Sequence, residues 1–224
     1  ETDLRGIAIS TFHYVLRKPV SPEEKTYIFA IALGTIPAII FGLLLESKMD
    51  SVFRNVHLVA WALLLGSALM WLAGKKAEIS DMRHEISENA GNIKENTNTD
   101  TKKLTVRKGI IIGFFQSIAL VPGISRSGAT ISGGLFMGLS RENATHFSFL
   151  LSVPILVGSG LKKLLEVDFT APGTTPGPLL LGSIVAFVVG LVAIHYFIRY
   201  LKNHSLNLFI WYRVALALSI LFFV

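Results

Sequence analysis

The sequence predicts an all-α fold: a polytopic integral membrane protein with about five spanning helices and one re-entrant helical hairpin. Three observations predict this class. Hydrophobic residues make up 51% of the 224 residues and charged residues only 16%, whereas about 25% charged residues is usual for soluble domains. Apolar stretches long enough to cross a bilayer recur along the chain, and one further apolar stretch is interrupted by an arginine, serines and glycines. We therefore expect a single membrane domain over residues 1–224.

The predicted spans have roughly the length that a bilayer requires, about 20 residues at about 1.5 Å per residue. They cover residues 27–45, 56–73, 144–165, 179–200 and 208–224. Residues 1–26 are interpreted as a cytoplasmic or interfacial lead-in that ends in the helix-start pattern Ser-Pro-Glu-Glu. Residues 75–108 are polar and lack apolar periodicity, so we expect a cytoplasmic loop there, with at most a frayed extension of the preceding helix.

Charge and cysteine content indicate the orientation in the membrane and exclude some kinds of partner and chemistry. Most lysine and arginine residues lie on the side of the lead-in, which the positive-inside rule places in the cytoplasm. The same asymmetry accounts for the formal net charge of +6, so we expect no nucleic-acid partner. The chain contains no cysteine, which excludes disulfides and thiol chemistry within it.

The interrupted apolar stretch is the predicted hairpin, residues 109–139. Each of its arms has about a dozen apolar residues, too few to cross a hydrocarbon core of about 30 Å. An arginine is costly at membrane depth, and irregular backbone is tolerated there only when it lines a polar cavity or is buried in protein. We therefore predict a helix, an irregular turn and a second helix that returns to the side from which the first one entered.

The residue types at the predicted turn suit an anion, above all a phosphate. If the second arm begins near Ser127, the free N–H groups of its first turn point at the same place as the guanidinium of Arg126. Hydroxyls and a guanidinium donate hydrogen bonds to phosphate oxygens, and glycine lets the backbone approach a ligand closely. The alternative is that Arg126 pairs with a carboxylate and so joins two hairpin tips. The candidate residues are Gly123, Ser125, Arg126, Ser127, Gly128 and Thr130.

The sequence evidence for a functional role is weaker at the other polar residues. No grouping of histidine, aspartate and glutamate has metal-ligand spacing, so the metal ligands are unknown. Glu46, Glu166 and Asp168 flank spans on the outer side, where loop charges explain them and a Mg²⁺ contact is the alternative. Arg213, inside the last span, is interpreted as snorkelling to the cytoplasmic face, with a second phosphate contact as the alternative.

Two glycine pairs have the spacing that lets membrane helices pack closely. They are Gly109 with Gly113 and Gly134 with Gly138. Close packing within the hairpin accounts for both pairs, and they are weak support for a homodimer.

The residues around the turn also carry a family resemblance. FFQSIALVPGISRSGATISGGLFMGLSRENATHFSFLLSVP, residues 114–154, closely resembles the second signature of the bacterial undecaprenyl-diphosphate phosphatase family, the enzymes linked to bacitracin resistance. LGTIPAIIFGLLLES at 33–47 resembles a span of that family, and WYR at 211–213 falls where the family has a tyrosine-arginine pair. The resemblance covers roughly residues 22–224.

This resemblance implies a multi-pass protein of the bacterial inner membrane that hydrolyses undecaprenyl diphosphate and so recycles the lipid carrier of cell-wall precursors. It implies an inverted-repeat fold whose two hairpin tips meet in a pocket, and a divalent cation, Mg²⁺ or Ca²⁺. By position, Arg126 holds the pyrophosphate and, with Ser125, is the candidate for catalysis. Ser127 and Thr130 line the pocket, and Gln116 occupies the place of a glutamine in the second hairpin.

One part of the family pattern is missing. The family's first signature, with two glutamates four residues apart and a Pro-x-Ser-Ser-Thr-Gly-His turn, is absent from this chain. We expect either that the protein continues upstream of Glu1, which the missing Met favours, or that the chain is a reduced relative. A second hypothesis is therefore a non-hydrolytic polyprenyl-phosphate carrier or flippase on the same scaffold, and a third is a structural membrane subunit.

Overall fold

The computed structural model describes residues 21–52, 55–89, 103–169 and 175–223, which form seven α-helices and no strand. Four of these helices are long and apolar enough to cross a bilayer, and the last is a shorter apolar helix of 17 residues. The predicted all-α membrane architecture is confirmed, whereas most of the lead-in lies outside the described residues. The helices are α1 (Pro22–Val52), α2 (Val56–Asn89), α3 (Val106–Ile118), α4 (Arg126–Phe136), α5 (Arg141–Leu165), α6 (Pro176–Asn203) and α7 (Asn207–Phe223).

The start of α1 and the end of α2 show how local sequence sets helix bounds. The amide of Glu24 donates to Ser21 Oγ at 3.2 Å and the amide of Ser21 donates to Glu24 Oε2 at 2.9 Å, the reciprocal pair of a capping box. The loop that the sequence predicted over 75–108 is helical as far as Asn89. Good helix formers and the pair between Lys75 and Glu78, 3.1 Å apart, favour this extension.

The predicted hairpin is a helix, a turn and a second helix. Its first helix, α3, begins at Val106, three residues before the predicted start, and Thr105 caps it by accepting from the amide of Lys108 at 3.3 Å. The second helix, α4, follows the turn at 119–125. Ser140 then caps α5 by accepting from the amide of Asn143 at 3.2 Å, so this helix begins at Arg141, three residues before the predicted span.

Small residues set the distance between α1 and α3. A Cβ atom on Gly34 would lie 2.6 Å from the carbonyl oxygen of Gly109, and one on Gly109 would lie 2.9 Å from Cα of Ala30. Gly109 and Gly113 therefore allow close helix packing, as their spacing predicted. The contact is with Ala30 and Gly34 on α1, however, so the expected packing within the hairpin is wrong for this pair. Around this seam lies a core that includes the fully buried side chains of Ile112 and Phe147.

Candidate functional site

The turn between α3 and α4 is pressed against α2. Its central residue, Gly123, has a φ of 102°, a conformation that side chains other than glycine rarely adopt. A Cβ atom at this position would lie 2.6 Å from the carbonyl oxygen of Val59 and 2.9 Å from Cβ of Ala62. Both the backbone conformation and the lack of space therefore require glycine at the tip of the hairpin.

Ser125 begins α4 from a strained position. Its φ is 69°, which is uncommon for a residue other than glycine and is typical of functional or tightly constrained sites. Its Oγ accepts a hydrogen bond from the amide of Gly128 at 3.2 Å and so caps the helix. The sequence predicted that the second arm begins near Ser127, and the structure confirms this, because α4 begins at Arg126.

Arg213 holds the turn in place from α7. Its Nη2 donates to the carbonyl oxygens of Gly123 at 2.6 Å and Ile124 at 3.2 Å. The same guanidinium reaches α2, where Nη2 donates to the carbonyl of Leu63 at 3.3 Å and Nε donates to Ser67 Oγ at 3.2 Å. The interpretation of Arg213 as a snorkelling residue is wrong, because its guanidinium joins three parts of the chain.

A pocket of about 210 Å³ opens at this turn. Two serines, Tyr212, Arg213 and the amide-rich start of α4 line it together with apolar side chains, a combination that suits a phosphate joined to an apolar tail. Apart from Tyr212 and Arg213, noted as a pair in the sequence, the residues from α2, α6 and α7 were not predicted, because they come from distant parts of the chain. The lining residues are Met70, Ser125, Ser127, Gly128, Ile131, Phe197, Leu206, Phe209, Tyr212 and Arg213.

Four residues predicted for the site lie outside this lining, namely Gly123 in the turn, Arg126, Thr130 and Gln116. Arg126 is exposed at the first position of α4, and within the described part of the chain no carboxylate lies at ion-pair distance from it. Thr130 is 1% exposed, and its Oγ1 donates to the carbonyl of Arg126 at 2.9 Å and meets Ser148 Oγ on α5. The alternative interpretation of Arg126, an ion pair with a carboxylate, is thus not observed among the described residues.

Gln116, the last of these residues, is buried on α3, with 2% of its surface exposed. Neither Oε1 nor Nε2 of its side chain has a hydrogen-bond partner among the described residues. Buried side-chain amides are normally hydrogen-bonded. A contact between Gln116 and substrate stays a prediction.

The described residues near the turn do not fit a divalent cation. Mg²⁺ and Ca²⁺ prefer carboxylate oxygens, whereas this site offers hydroxyls and carbonyls, two of which accept from Arg213. No group of three histidine, aspartate or glutamate side chains is found in the part of the chain that the structure describes. Metal ligands therefore stay unknown.

Glu166, one of the outer-side carboxylates, is engaged by lysines. Its Oε2 lies 2.8 Å from Lys163 Nζ and its Oε1 lies 3.7 Å from Lys162 Nζ. The hydrogen bond from Lys163 lowers the pKa of Glu166 below its usual value. This geometry matches loop-charge pairing, the first interpretation of Glu166, and the side chain of Glu46 lies outside what the structure describes.

Comparisons with known proteins place the chain in one family. The model of the family described as "Bacitracin resistance protein BacA" matches residues 1–219. An undecaprenyl-diphosphatase of Chloroherpeton thalassium is 35% identical over 209 residues, which are 92% of this chain and 70% of that protein. An undecaprenyl-diphosphatase of Mycobacterium ulcerans is 40% identical over 194 residues, 85% of this chain and 64% of that protein. One from Pseudarthrobacter chlorophenolicus is 36% identical over 197 residues, and the match covers 63% of its length. The chain thus spans roughly two thirds of the length of these curated relatives.

Proposed function

The chain belongs to the family of the bacitracin resistance protein BacA. From this premise we propose that the protein is an integral membrane phosphatase. In the proposed reaction, one water molecule hydrolyses the P–O–P bond of undecaprenyl diphosphate and gives undecaprenyl phosphate and inorganic phosphate. The relatives that the chain matches bear the name undecaprenyl-diphosphatase. The proposed location is the inner membrane of a bacterium, where the product is the lipid carrier of cell-wall precursors.

The observation that carries this proposal is the pocket at the hairpin turn. It joins the start of α4 and the hydroxyls of Ser125 and Ser127 to apolar side chains of α2, α6 and α7. A polyprenyl diphosphate has the same two parts, a multiply charged head and a long hydrocarbon tail. The proposed substrate therefore matches the pocket in polarity, with its head at the turn and its tail along the apolar wall.

The roles proposed for the residues follow from charge. Phosphoryl transfer spreads negative charge over the phosphoryl oxygens, and catalysis is mainly positioning and electrostatic stabilisation. The first free amides of α4 would neutralise that charge in the pocket, and the guanidinium of Arg126, which is exposed at the first position of α4, would do so from outside the pocket lining. Gly128 allows the backbone to approach the head group, and Ser125 and Ser127 would orient it. Arg213 positions the turn by holding its carbonyls.

Three narrower proposals come with the activity. Dependence on Mg²⁺ or Ca²⁺ is proposed from the family resemblance, and no step is routed through the cation because the described residues offer no carboxylate at the turn. Gln116 and Thr130 are proposed substrate contacts on the same basis. A homodimer is the proposed oligomeric state, and sedimentation of the purified protein in detergent would test it.

The decisive experiment measures phosphate release from undecaprenyl diphosphate by the purified protein in lipid nanodiscs, with and without Mg²⁺. We expect Arg126→Ala to lower the rate by about 10²–10³-fold, as the loss of an electrostatic donor typically does. Arg107→Ala is the matched control, since Arg107 is also exposed but lies at the base of α3. Near-normal phosphate release by Arg126→Ala would overturn the role proposed for Arg126.

The second candidate is a carrier of polyprenyl phosphates that moves its ligand without hydrolysis. Its specific support is the turn at 119–125 that interrupts the helical hairpin, since helices broken in this way also form the binding sites of transporters. The same nanodisc experiment separates the two functions. Saturable binding of undecaprenyl diphosphate with no phosphate release in the presence of Mg²⁺ would favour the carrier.

A further inference from the structure

A groove between α2 and α7 lies outside the pocket at the turn. Its volume is about 400 Å³. Apolar side chains form most of its walls, and two tryptophans stand in it, one on each helix, with exposed fractions of 50% for Trp71 and 70% for Trp211. The lining residues that matter here are Leu64, Ala68, Trp71 and Lys75 on α2 and Asn207 and Trp211 on α7.

The lysine and the asparagine of the groove lie at one end, and Ser67 lies nearer the other end. The two helices run in opposite directions along it, so Lys75, late in the lining stretch of α2, is at the same end as Asn207, the first residue of α7. From Leu64 to Lys75 the α2 wall is about 16 Å long at about 1.5 Å per residue. This is about half of a hydrocarbon core of about 30 Å, so the groove has the depth of a single leaflet.

The charge at this end is positive. Lys75 lies 3.1 Å from Glu78, and Arg141 lies 4.0 Å from the same carboxylate, so two cations share one anion. The side chain of Lys75 is 55% exposed. A small cavity of about 20 Å³ continues from the end of the groove to Arg141 and His204. The amides and dipole at the start of α7, which is 17 residues long, add positive potential beside Asn207.

We propose that this groove binds one anionic phospholipid, independently of the proposed phosphatase activity. Its phosphate lies beside Lys75 and the start of α7, and one acyl chain lies against Ala68 between Trp71 and Trp211. An anionic head at the charged end and a chain of one leaflet's length in the apolar part match the groove in charge and in depth. Ser67 on the groove floor accepts from Arg213, so the lipid lies one side chain away from the residue that holds the hairpin turn.

Fluorescence quenching in the intact protein tests this site, because the chain has three tryptophans. A variant that keeps Trp71 (Trp61→Phe with Trp211→Phe) is placed in phosphatidylcholine bilayers containing a fraction of phosphatidylglycerol with brominated chains. We expect Trp71 to be quenched well beyond the mole fraction of the brominated lipid. A second variant keeps Trp61, which is 59% exposed on α2 but outside the groove, and its quenching should follow the mole fraction.

Charge variants then locate the head group. Lys75→Gln should weaken the preference of Trp71 for phosphatidylglycerol over phosphatidylcholine about fivefold, the effect of one lysine near an anionic head group. Lys163→Gln is the matched control, since Lys163 also pairs with a glutamate three residues later, at 2.8 Å, but lies on α5. Ala68→Phe fills the groove without changing charge and should reduce quenching of Trp71 by either brominated lipid, which keeps the test open if Lys75→Gln does not fold.

Three outcomes would overturn the proposal. The first is equal quenching of Trp71 by brominated phosphatidylglycerol and phosphatidylcholine. The second is an equal loss of preference in Lys163→Gln and Lys75→Gln. The third is complete displacement of brominated phosphatidylglycerol by an equal amount of undecaprenyl phosphate, which would assign the groove to the polyprenyl lipid instead.

Discussion

The helices α4 and α6 have opposite surroundings. Hydrophobicity alone suggests that the more apolar α6 lies inside the protein, whereas the structure places the more polar α4 there. In α4, three glycines, two serines and a threonine stand among 11 residues, and eight of the 11 are buried. The helix α6 is composed largely of leucine, valine, isoleucine and phenylalanine, yet none of its most apolar stretch is buried inside the protein. The more polar helix forms the interior, and the more apolar helix forms the outer surface.

The physical reason is that lipid chains are as apolar as leucine, so no hydrophobic force drives α6 inward. Interior positions instead go to residues that permit close backbone approach or that form hydrogen bonds between helices. Ser132 bonds the carbonyl of Gly128 at 2.7 Å within α4, and Thr130 meets Ser148 on α5. Matched substitutions in the two regions test this contrast.

The largest expected difference is between two glycines. In Gly113→Leu, the new side chain would collide with the backbone carbonyl of Gly34 on α1, whereas at Gly182 on α6 nothing lies within 4 Å of a Cβ atom. We expect Gly113→Leu to destabilise the protein by about 3 kcal/mol or more and Gly182→Leu to leave it unchanged. Size-exclusion profiles and thermal midpoints in detergent measure both. Equal tolerance of the two variants would show that the seam between α1 and α3 is looser than described.

Arginine variants should give the next largest effect. Arg213→Gln removes charged hydrogen bonds to the carbonyls of Gly123 and Ile124, which should destabilise the protein by about 2–3 kcal/mol. The exposed Arg199 on α6 is the control, and Arg199→Gln should have no effect. Hydrogen exchange of the amides at 119–121 and 123–125 should accelerate in Arg213→Gln alone. Unchanged exchange would mean that the guanidinium does not hold the turn.

Hydroxyl variants should differ less. Thr130→Val keeps the shape of a buried side chain but removes its bond to Ser148 on α5, at an expected loss of about 1 kcal/mol. Ser183 on α6 is exposed and bonds the carbonyl of Leu179 within its own helix at 2.8 Å, so Ser183→Ala is the control and should be near neutral. Chemical denaturation in mixed micelles compares the two losses, and a larger loss for Ser183→Ala would reverse the proposed contrast.

The smallest effect is expected at the outer end of α5. Because the hydrogen bond from Lys163 lowers the pKa of Glu166, the paired carboxylate stabilises the folded protein at neutral pH. That contribution is lost as the pH falls through the lowered pKa. The Glu166 side chain is 45% exposed, so solvent screens the pair, and Glu166→Gln should change the thermal midpoint little at neutral pH and not at all at acidic pH. A midpoint difference that grows on acidification would contradict this sign.

Much of the fold was predictable because it depends on neighbouring residues. The helix start at Ser21-Pro22-Glu23-Glu24 and the broken apolar stretch of the hairpin are local patterns, and each appears where it was predicted. The extension of α2 to Asn89 was underestimated, since a polar helix beyond the membrane lacks the apolar periodicity on which the prediction rested.

The site was predictable in part. The turn residues Ser125, Ser127 and Gly128 do line a pocket, because glycine, serine and a following helix start are adjacent in sequence. The role of Arg213 was missed. Its partner Leu63 lies 150 positions away, and an arginine in an apolar span has the same sequence signature whether it snorkels or bonds another helix. The WYR tripeptide was the signal that pointed to this position.

The sequence by itself determined that this chain is a helical membrane protein and where its hairpin turns, because length, hydropathy and capping act over a few neighbouring residues. Only the tertiary structure decided which helices are interior, which cation holds the turn and which side chains complete the pocket. These features depend on contacts between α2, α4, α5 and α7, and in a bilayer hydrophobicity does not distinguish a face turned to lipid from a face turned to protein.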